Sequence, residues 1–251
     1  MTQIWLNYAS IHPWDDAEKW TAFFDQAQHA LGSPLTRLDT SDPIKRRVRS
    51  LAEAGEYASQ VLPGRDITSI FGRFEEIDFE FTIEKHKDHA LWPNYLIMCT
   101  SAAAPFELND GMAKVQSLFQ VGIKHLSPFY AYCDDISYVR SRKPQRRAVD
   151  IRAELVGVFW LTFFGKAYVE FFGEKKFAQF PRYQFDEFGG VTVQLSENPA
   201  EILPELRNRF VDLLGEDSFV DPSSDRRKPP GQFALTLEEL INFELAVAAH
   251  G

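Results

Sequence analysis

The stretch GVFWLTFFGKAYVEFFG at residues 157–173, which overlaps a nearly unbroken apolar run at 155–164, is the feature that most constrains the fold. Residues 155–164 are rich in β-branched and aromatic side chains, which is typical of a strand covered on both faces at the centre of a sheet. Gly165 interrupts this pattern, and a short amphipathic helix that ends at Gly173 is predicted to follow. The sequence therefore predicts a strand, a glycine turn and a short helix that form one packing unit.

Length and composition indicate a globular chain with a sizeable core. The chain has 251 residues, 45% of them hydrophobic, and 22 are Phe, which excludes a disordered polymer. This length suits one large domain or two small ones. Because no second full set of strands follows the central strand, we expect a single α+β domain over 1–251, with two halves, 1–140 and 150–251, sharing one sheet as an alternative. The 36 acidic and 27 basic residues give a net charge of −9, which argues against direct nucleic-acid binding and favours a basic partner.

Hydrophobic periodicity along the rest of the chain predicts both helices and strands. Helices are expected at 14–31, 109–126 and 199–214, and a further helix carries the basic residues from Lys45 and reaches Gln60. Strands are expected at 4–8, 67–74, 77–83, 94–101 and 130–139, with a hairpin of 182–188 and 191–195 across Gly189-Gly190. Because three apolar helix stripes need one common surface, the predicted fold is α+β with an antiparallel or mixed central sheet.

The strand at 77–83 carries a row of carboxylates, which is the candidate partner-binding site. Side chains alternate along a strand, so the apolar face consists of Ile77, Phe79, Phe81 and Ile83, and the acidic face consists of Glu76, Asp78, Glu80 and Glu84. Like charges about 7 Å apart repel and add nothing to folding, which favours a functional role. Other interpretations remain open: a solvated sheet face, neutralisation by cross-strand Lys or Arg, or cover from the chain's own basic segment at 140–147.

No sequence motif indicates catalysis, a metal or a cofactor. The chain contains no GxSxG, phosphate loop, dinucleotide fingerprint or zinc-ribbon spacing. His86 and His89 lie in a charged turn, where their three-residue spacing does not suit a metal. Adjacent carboxylates such as Asp134-Asp135 point apart on a strand, and the two cysteines, Cys99 and Cys133, favour a reduced structural role. We therefore expect no metal, no cofactor and no catalytic residues.

The N-terminal residues predict a protein that remains in the cytoplasm. They lack the basic start and apolar core of a signal peptide. No apolar run approaches the roughly 20 residues that span a bilayer. The expectation is a cytoplasmic protein that does not contact a membrane.

One pattern of aromatic residues and glycines consists of Trp160-Leu161-Thr162-Phe163-Phe164-Gly165, Tyr168-Val169-Glu170-Phe171-Phe172-Gly173, Pro181 and Gly189-Gly190. This pattern resembles bacterial immunity proteins of polymorphic toxin and type VI secretion systems, in particular the immunity protein 52 family. It covers roughly residues 155–215 and consists of packing glycines and aromatic residues. The resemblance implies a cytoplasmic protein that binds and neutralises a cognate toxin, typically a nuclease, and it transfers no toxin-binding residue to this chain.

Two functions follow from these observations. The first is stoichiometric inhibition, in which the acidic face covers the basic cleft of a toxin, because complementary charge speeds association and disfavours wrong partners. The alternative is an enzyme or small-molecule-binding protein whose pocket is assembled from residues far apart in sequence. An apolar, enclosed pocket with convergent polar groups would distinguish the second from the first.

Overall fold

The computed structural model describes residues 3–60, 64–74, 79–88, 92–100, 110–144, 149–224 and 239–242. The chain divides into two compact units, 1–131 and 132–251. Antiparallel strands and helices occur in both units, so the predicted α+β fold class is confirmed. The idea that two halves share one sheet stays a prediction.

The first unit contains an antiparallel sheet with the strand order β2-β3-β4-β5-β1. Its elements are β1 (Ile4–Ser10), α1 (Ala17–Leu31), β2 (Leu35–Asp39), α2 (Leu51–Ser59), β3 (Ile67–Phe74), β4 (Phe79–His86), β5 (Asn94–Thr100) and α3 (Gly111–Leu126). Most of these elements agree with the sequence prediction, because their apolar spacing is regular.

Helix α1 shows how local sequence and packing act together. The Asp16 carboxylate accepts hydrogen bonds from two backbone amides of the first turn, and Gly32 ends the helix in the left-handed conformation at φ 65°. The buried face carries Trp20 and Phe24, whose rings lie 5.6 Å apart, and Phe24 contacts Phe81 of β4 with ring centroids at 5.8 Å. Helix α1 thus covers the apolar face of β4.

Helix α3 lies against β1 through a glycine. The Tyr8 hydroxyl donates a hydrogen bond to the Leu118 carbonyl at 3.3 Å. A Cβ atom on Gly122 would lie 2.3 Å from the Tyr8 ring, so only glycine permits this approach. The predicted apolar stripe of this helix is confirmed by the burial of Val115 and Phe119.

The second unit contains the strand order β6-β7-β9-β8, in which β6 crosses the division between the units. Its elements are β6 (Tyr130–Asp135), α4 (Ile136–Arg142), β7 (Leu161–Phe164), α5 (Lys166–Phe172), α6 (Glu174–Phe177), β8 (Arg182–Phe185), β9 (Val191–Gln194) and α7 (Pro204–Leu214). The predicted hairpin, the short helix after Gly165 and its end at Gly173 are all confirmed.

The central apolar run is buried as predicted, but only its last four residues form a strand. Residues 158–164 are at most 4% exposed, and β7 begins at Leu161. Before it, side chains bind two of the backbone amides. The Trp160 amide donates to the Asp134 carboxylate at 2.7 Å, and the Phe159 amide donates to the Thr162 hydroxyl at 3.0 Å. These bonds explain why the predicted strand at 155–164 is too long.

Three further predicted boundaries are wrong, each because of a capping residue or a proline. The strand predicted at 130–139 ends at Asp135, whose carboxylate caps α4 by accepting from the Ser137 amide at 2.8 Å. The helix predicted from Lys45 begins only after Ser50, which caps α2. The helix predicted at 199–214 is split into a short 3₁₀ helix, Pro199–Glu201, and α7, which restarts at Pro204.

The described helices are of ordinary globular length. The α3 helix has 16 residues and the α1 helix has 15. Within the part of the chain that the structure describes, no helix combines the length and the apolar character required to cross a membrane.

Candidate functional site

The predicted acidic face lies on β4, and the structure describes half of it. Phe79, Phe81 and Ile83 are buried, while Glu80 and Glu84 are half-buried on the opposite face. The predicted alternation is therefore confirmed over 79–84. Glu76 and Asp78 lie outside the described residues, so the four-carboxylate site as a whole stays a prediction.

A cross-strand arginine partly offsets the charge of this face. Arg73 of β3 lies opposite Glu80, with 3.9 Å between its Nε and the Glu80 Oε1. The side chains are 38% and 47% exposed, so water screens this pair and its contribution to stability is small. Glu84 instead lies between Ser69 of β3 and Tyr95 of β5. Neutralisation by a basic neighbour thus occurs at one of the two described carboxylates.

Apolar and aromatic side chains share the face with these carboxylates. We call this set the β4 outer face, and all its members are half-buried: Phe71, Arg73, Glu80, Thr82, Glu84, Tyr95 and Ile97. Protein interfaces combine aromatic and aliphatic contact area with polar groups in the same way. The sequence does not predict this mixture, because the strand register decides which residues of β3 and β5 flank the acidic row.

His86 is the last residue of β4 and lies beside Tyr95 of the β4 outer face. Burial lowers the pKa of His86, and the nearby Glu84 carboxylate opposes that shift. The His86 ring meets the Tyr95 ring edge to face with centroids 6.4 Å apart, and its backbone amide donates to the Asn94 side chain at 2.7 Å. His89 lies outside the described residues. Among the residues that are described, no three His, Cys, Asp or Glu side chains are grouped as metal ligands.

The second unit contains a buried ion pair that the sequence does not predict. Asp134 is fully buried, and Arg207 donates hydrogen bonds to both of its carboxylate oxygens, with Nη2 3.1 Å from Oδ1. Backbone amides of Asp135 and Trp160 also donate to this carboxylate at 2.8 and 2.7 Å. The Arg207 guanidinium lies 3.7 Å from the centre of the Tyr138 ring. This cluster joins β6, α4, the residue that precedes β7, and α7.

The environment of this ion pair indicates a structural role. Burial raises the pKa of the Asp134 carboxyl, and the hydrogen bonds from Arg207 and the two amides oppose the shift. Its acceptors are engaged by protein donors and lie away from solvent, so a substrate has no access to them. Asp135 points elsewhere and caps α4, which agrees with the prediction that these adjacent carboxylates do not converge.

A buried lysine on the other face of β4 caps the C-terminal end of α2. Lys85 is 2% exposed, and its amine donates to the carbonyls of Ala58 and Ser59 at the C-terminal end of this helix. Burial lowers the pKa of Lys85 to about 8, while the Asp15 carboxylate acts in the opposite direction. A cation that binds the last carbonyls of a helix stabilises the negative end of its dipole.

The geometry defines an α+β protein with a half-exposed sheet face that mixes acidic and aromatic side chains. Comparison with known proteins adds information on the fold. No family model matches the chain, and no curated protein matches it. The Pseudomonas aeruginosa T6SS protein PA0821 is similar in structure, with a TM-score of 0.57 and 16% sequence identity. The alignment covers 95% of this chain and 81% of that one. At this identity the likeness establishes a shared fold.

Proposed function

We propose that this protein is an immunity protein of a type VI secretion system, which binds a cognate toxin and neutralises it by stoichiometric inhibition. The observation that carries the proposal is the structural likeness to the T6SS protein PA0821, which extends over 95% of this chain. The resemblance of the aromatic and glycine pattern at 160–173 to the immunity protein 52 family supports the finer assignment. From that family we expect a nuclease toxin and a site of action in the cytoplasm.

Charge supports a basic partner. A nuclease cleft binds phosphates and is therefore positively charged, whereas this chain has a net charge of −9. The proposed contact surface is the β4 outer face, extended by Glu76 and Asp78. Its carboxylates would steer the toxin, and Phe71 and Ile97 offer apolar contact area between them. The proposed activity requires no cofactor, no metal, no nucleic acid and no catalytic residue of this chain.

The test uses the product of the neighbouring open reading frame as the candidate toxin, together with a variant of the four predicted residues. Glu76→Gln, Asp78→Thr, Glu80→Gln and Glu84→Thr are combined in one protein, and toxin binding is measured at low and moderate salt. We expect at least a tenfold higher Kd at low salt and a weaker salt dependence, because the steering charges are gone. The thermal midpoint should stay close to that of the wild type.

A matched control separates the local surface from the total charge. Glu174→Gln, Glu201→Gln, Glu205→Gln and Asp212→Asn together remove four exposed carboxylates from the second unit and should leave toxin affinity unchanged. Unchanged affinity in the folded four-residue variant would exclude the β4 outer face as the interface. Failure of the wild-type protein to bind and inhibit the neighbouring toxin at equimolar ratio would contradict the immunity function itself and favour the enzyme or small-molecule alternative.

A further inference from the structure

The β8 strand exposes an aromatic pair at the edge of the sheet that the described strands form. All four of its side chains are exposed, with Tyr183 at 47% and Phe185 at 37%. The two rings meet edge to face with centroids 5.9 Å apart. Among the described strands β8 has β9 as its one neighbour, and it ends the strand order of the second unit. An edge of this kind is a template for pairing with another strand.

Two backbone hydrogen bonds fix which residues of β8 face the open edge. The Asp186 amide donates to the Gly190 carbonyl at 2.9 Å across the hairpin, so even-numbered residues of β8 bond inward to β9. The Leu195 amide donates to the Trp160 carbonyl at 3.0 Å, so odd-numbered residues next to and within β9 bond toward β7. This leaves the even-numbered residues of β9 to bond to β8, in agreement with the first hydrogen bond. The backbone amide and carbonyl groups of successive residues in an antiparallel strand point to opposite sides, so those of Tyr183 and Phe185 point outward, away from β9.

We propose that a second copy of this chain pairs with β8 at this edge, antiparallel and around a twofold axis at Gln184. In that register Tyr183 lies opposite the partner subunit's Phe185, so the outward-facing amides and carbonyls of both chains bond to each other. The four aromatic rings then share one face. On the other face Arg182 lies opposite the partner subunit's Asp186, and the symmetry makes this opposite-charge pair twice.

Registers with the twofold axis at a neighbouring residue pair the groups of this edge less completely. An axis at Tyr183 places Pro181 opposite the partner subunit's Phe185, and proline has no amide hydrogen to donate. An axis at Phe185 places Tyr183 opposite the partner subunit's Glu187 and separates Arg182 from an acidic residue. Only the axis at Gln184 joins aromatic pairing, charge pairing and a complete set of donors. This self-complementarity of a five-residue segment identifies a second copy as the occupant.

The mass of the protein in solution tests this pairing directly, independently of toxin binding. Sedimentation over a wide concentration range should show a rise from the monomer mass of 28.8 kDa to twice that value. Arg182→Glu places like charges across the axis and should weaken self-association at least tenfold. Glu197→Gln is the matched control, because it removes the ion pair that Arg182 makes within its own chain, at 2.6 Å, but leaves the edge charge intact.

A cross-link tests the register. In a background with Cys99→Ser, Gln184→Cys brings two thiols together at the axis, where opposite Cα atoms of a non-hydrogen-bonded pair are about 4.5 Å apart and a disulfide fits. Thr192→Cys, on β9 beside Gln184, is the control, since its two copies would lie three strand spacings apart, roughly 14 Å.

Preferential oxidation of the Gln184→Cys protein to a covalent dimer is the expected result. A monomer at every concentration, or cross-linking no better than that of Thr192→Cys, would overturn the proposal. It would also be overturned if the β8 edge of a monomeric protein took up an extended toxin segment instead of a second copy.

Discussion

Replacing Arg207 by methionine should severely destabilise the protein. The arginine neutralises Asp134, which is 0% exposed, and donates to both of its oxygens. Methionine fills a similar volume without a charge, so the carboxylate would keep only the backbone amides of Asp135 and Trp160 as donors. Removing one partner of a buried ion pair costs about 3 to 5 kcal/mol, and we expect a loss of that size in the free energy of unfolding.

The loss should depend on pH. Burial raises the pKa of Asp134 and Arg207 opposes the rise, so without Arg207 the folded-state pKa lies still higher. A group whose folded-state pKa is raised favours the folded state at low pH, and that contribution is lost as the pH rises through the folded-state pKa. The gap between wild type and Arg207→Met should therefore widen as the pH rises and narrow as the pH falls.

Urea unfolding at several pH values measures both effects through the midpoint and the slope. Arg209→Met is the control, because this exposed arginine on the same helix should change stability by less than about 1 kcal/mol. Adding Asp134→Asn to Arg207→Met should recover part of the loss, since a neutral amide oxygen still accepts from the Trp160 amide. A loss within about 1 kcal/mol for Arg207→Met, or a gap that does not change with pH, would refute this reasoning.

Two further substitutions test the two units separately. Trp160→Ala should lower the free energy of unfolding by about 3 to 5 kcal/mol, because the indole is fully buried and its N–H donates to the Ser196 carbonyl at 3.0 Å. An unchanged denaturant midpoint would show that the side chain is not part of the core. The pKa of Lys85 is lowered from 10.5 to about 8 in the folded protein. The stabilisation that comes from the neutral amine is therefore complete above pH 10.5 and is lost as the pH falls through about 8. Relative to Lys85→Met, the wild type should therefore gain stability over that pH interval, and a constant difference would contradict the assignment.

Short-range signals predicted much of the fold. Helix α1, the hairpin of β8 and β9, and the helix between Gly165 and Gly173 follow from spacing, caps and glycines within a few residues of each other. The β4 alternation was equally readable, since the two faces of a strand repeat every second residue. These features depend on local backbone geometry, which the sequence encodes directly.

Long-range pairing decided the rest. Asp134 and Arg207 are 73 residues apart, and nothing in the spacing of either residue indicates that they meet. The Asp134 carboxylate also shortens the predicted central strand by binding the Trp160 amide. In the same way, the register of β3 and β5 places Arg73 and Tyr95 beside the predicted acidic row.

The sequence by itself thus determined the α+β class, the buried central run and the alternating faces of β4. Tertiary structure alone determined the partners of each buried charge and the composition of the β4 outer face. The physical reason is that periodicity records which side of an element is buried, whereas contacts between distant segments depend on strand register and helix placement, which only the packed chain defines.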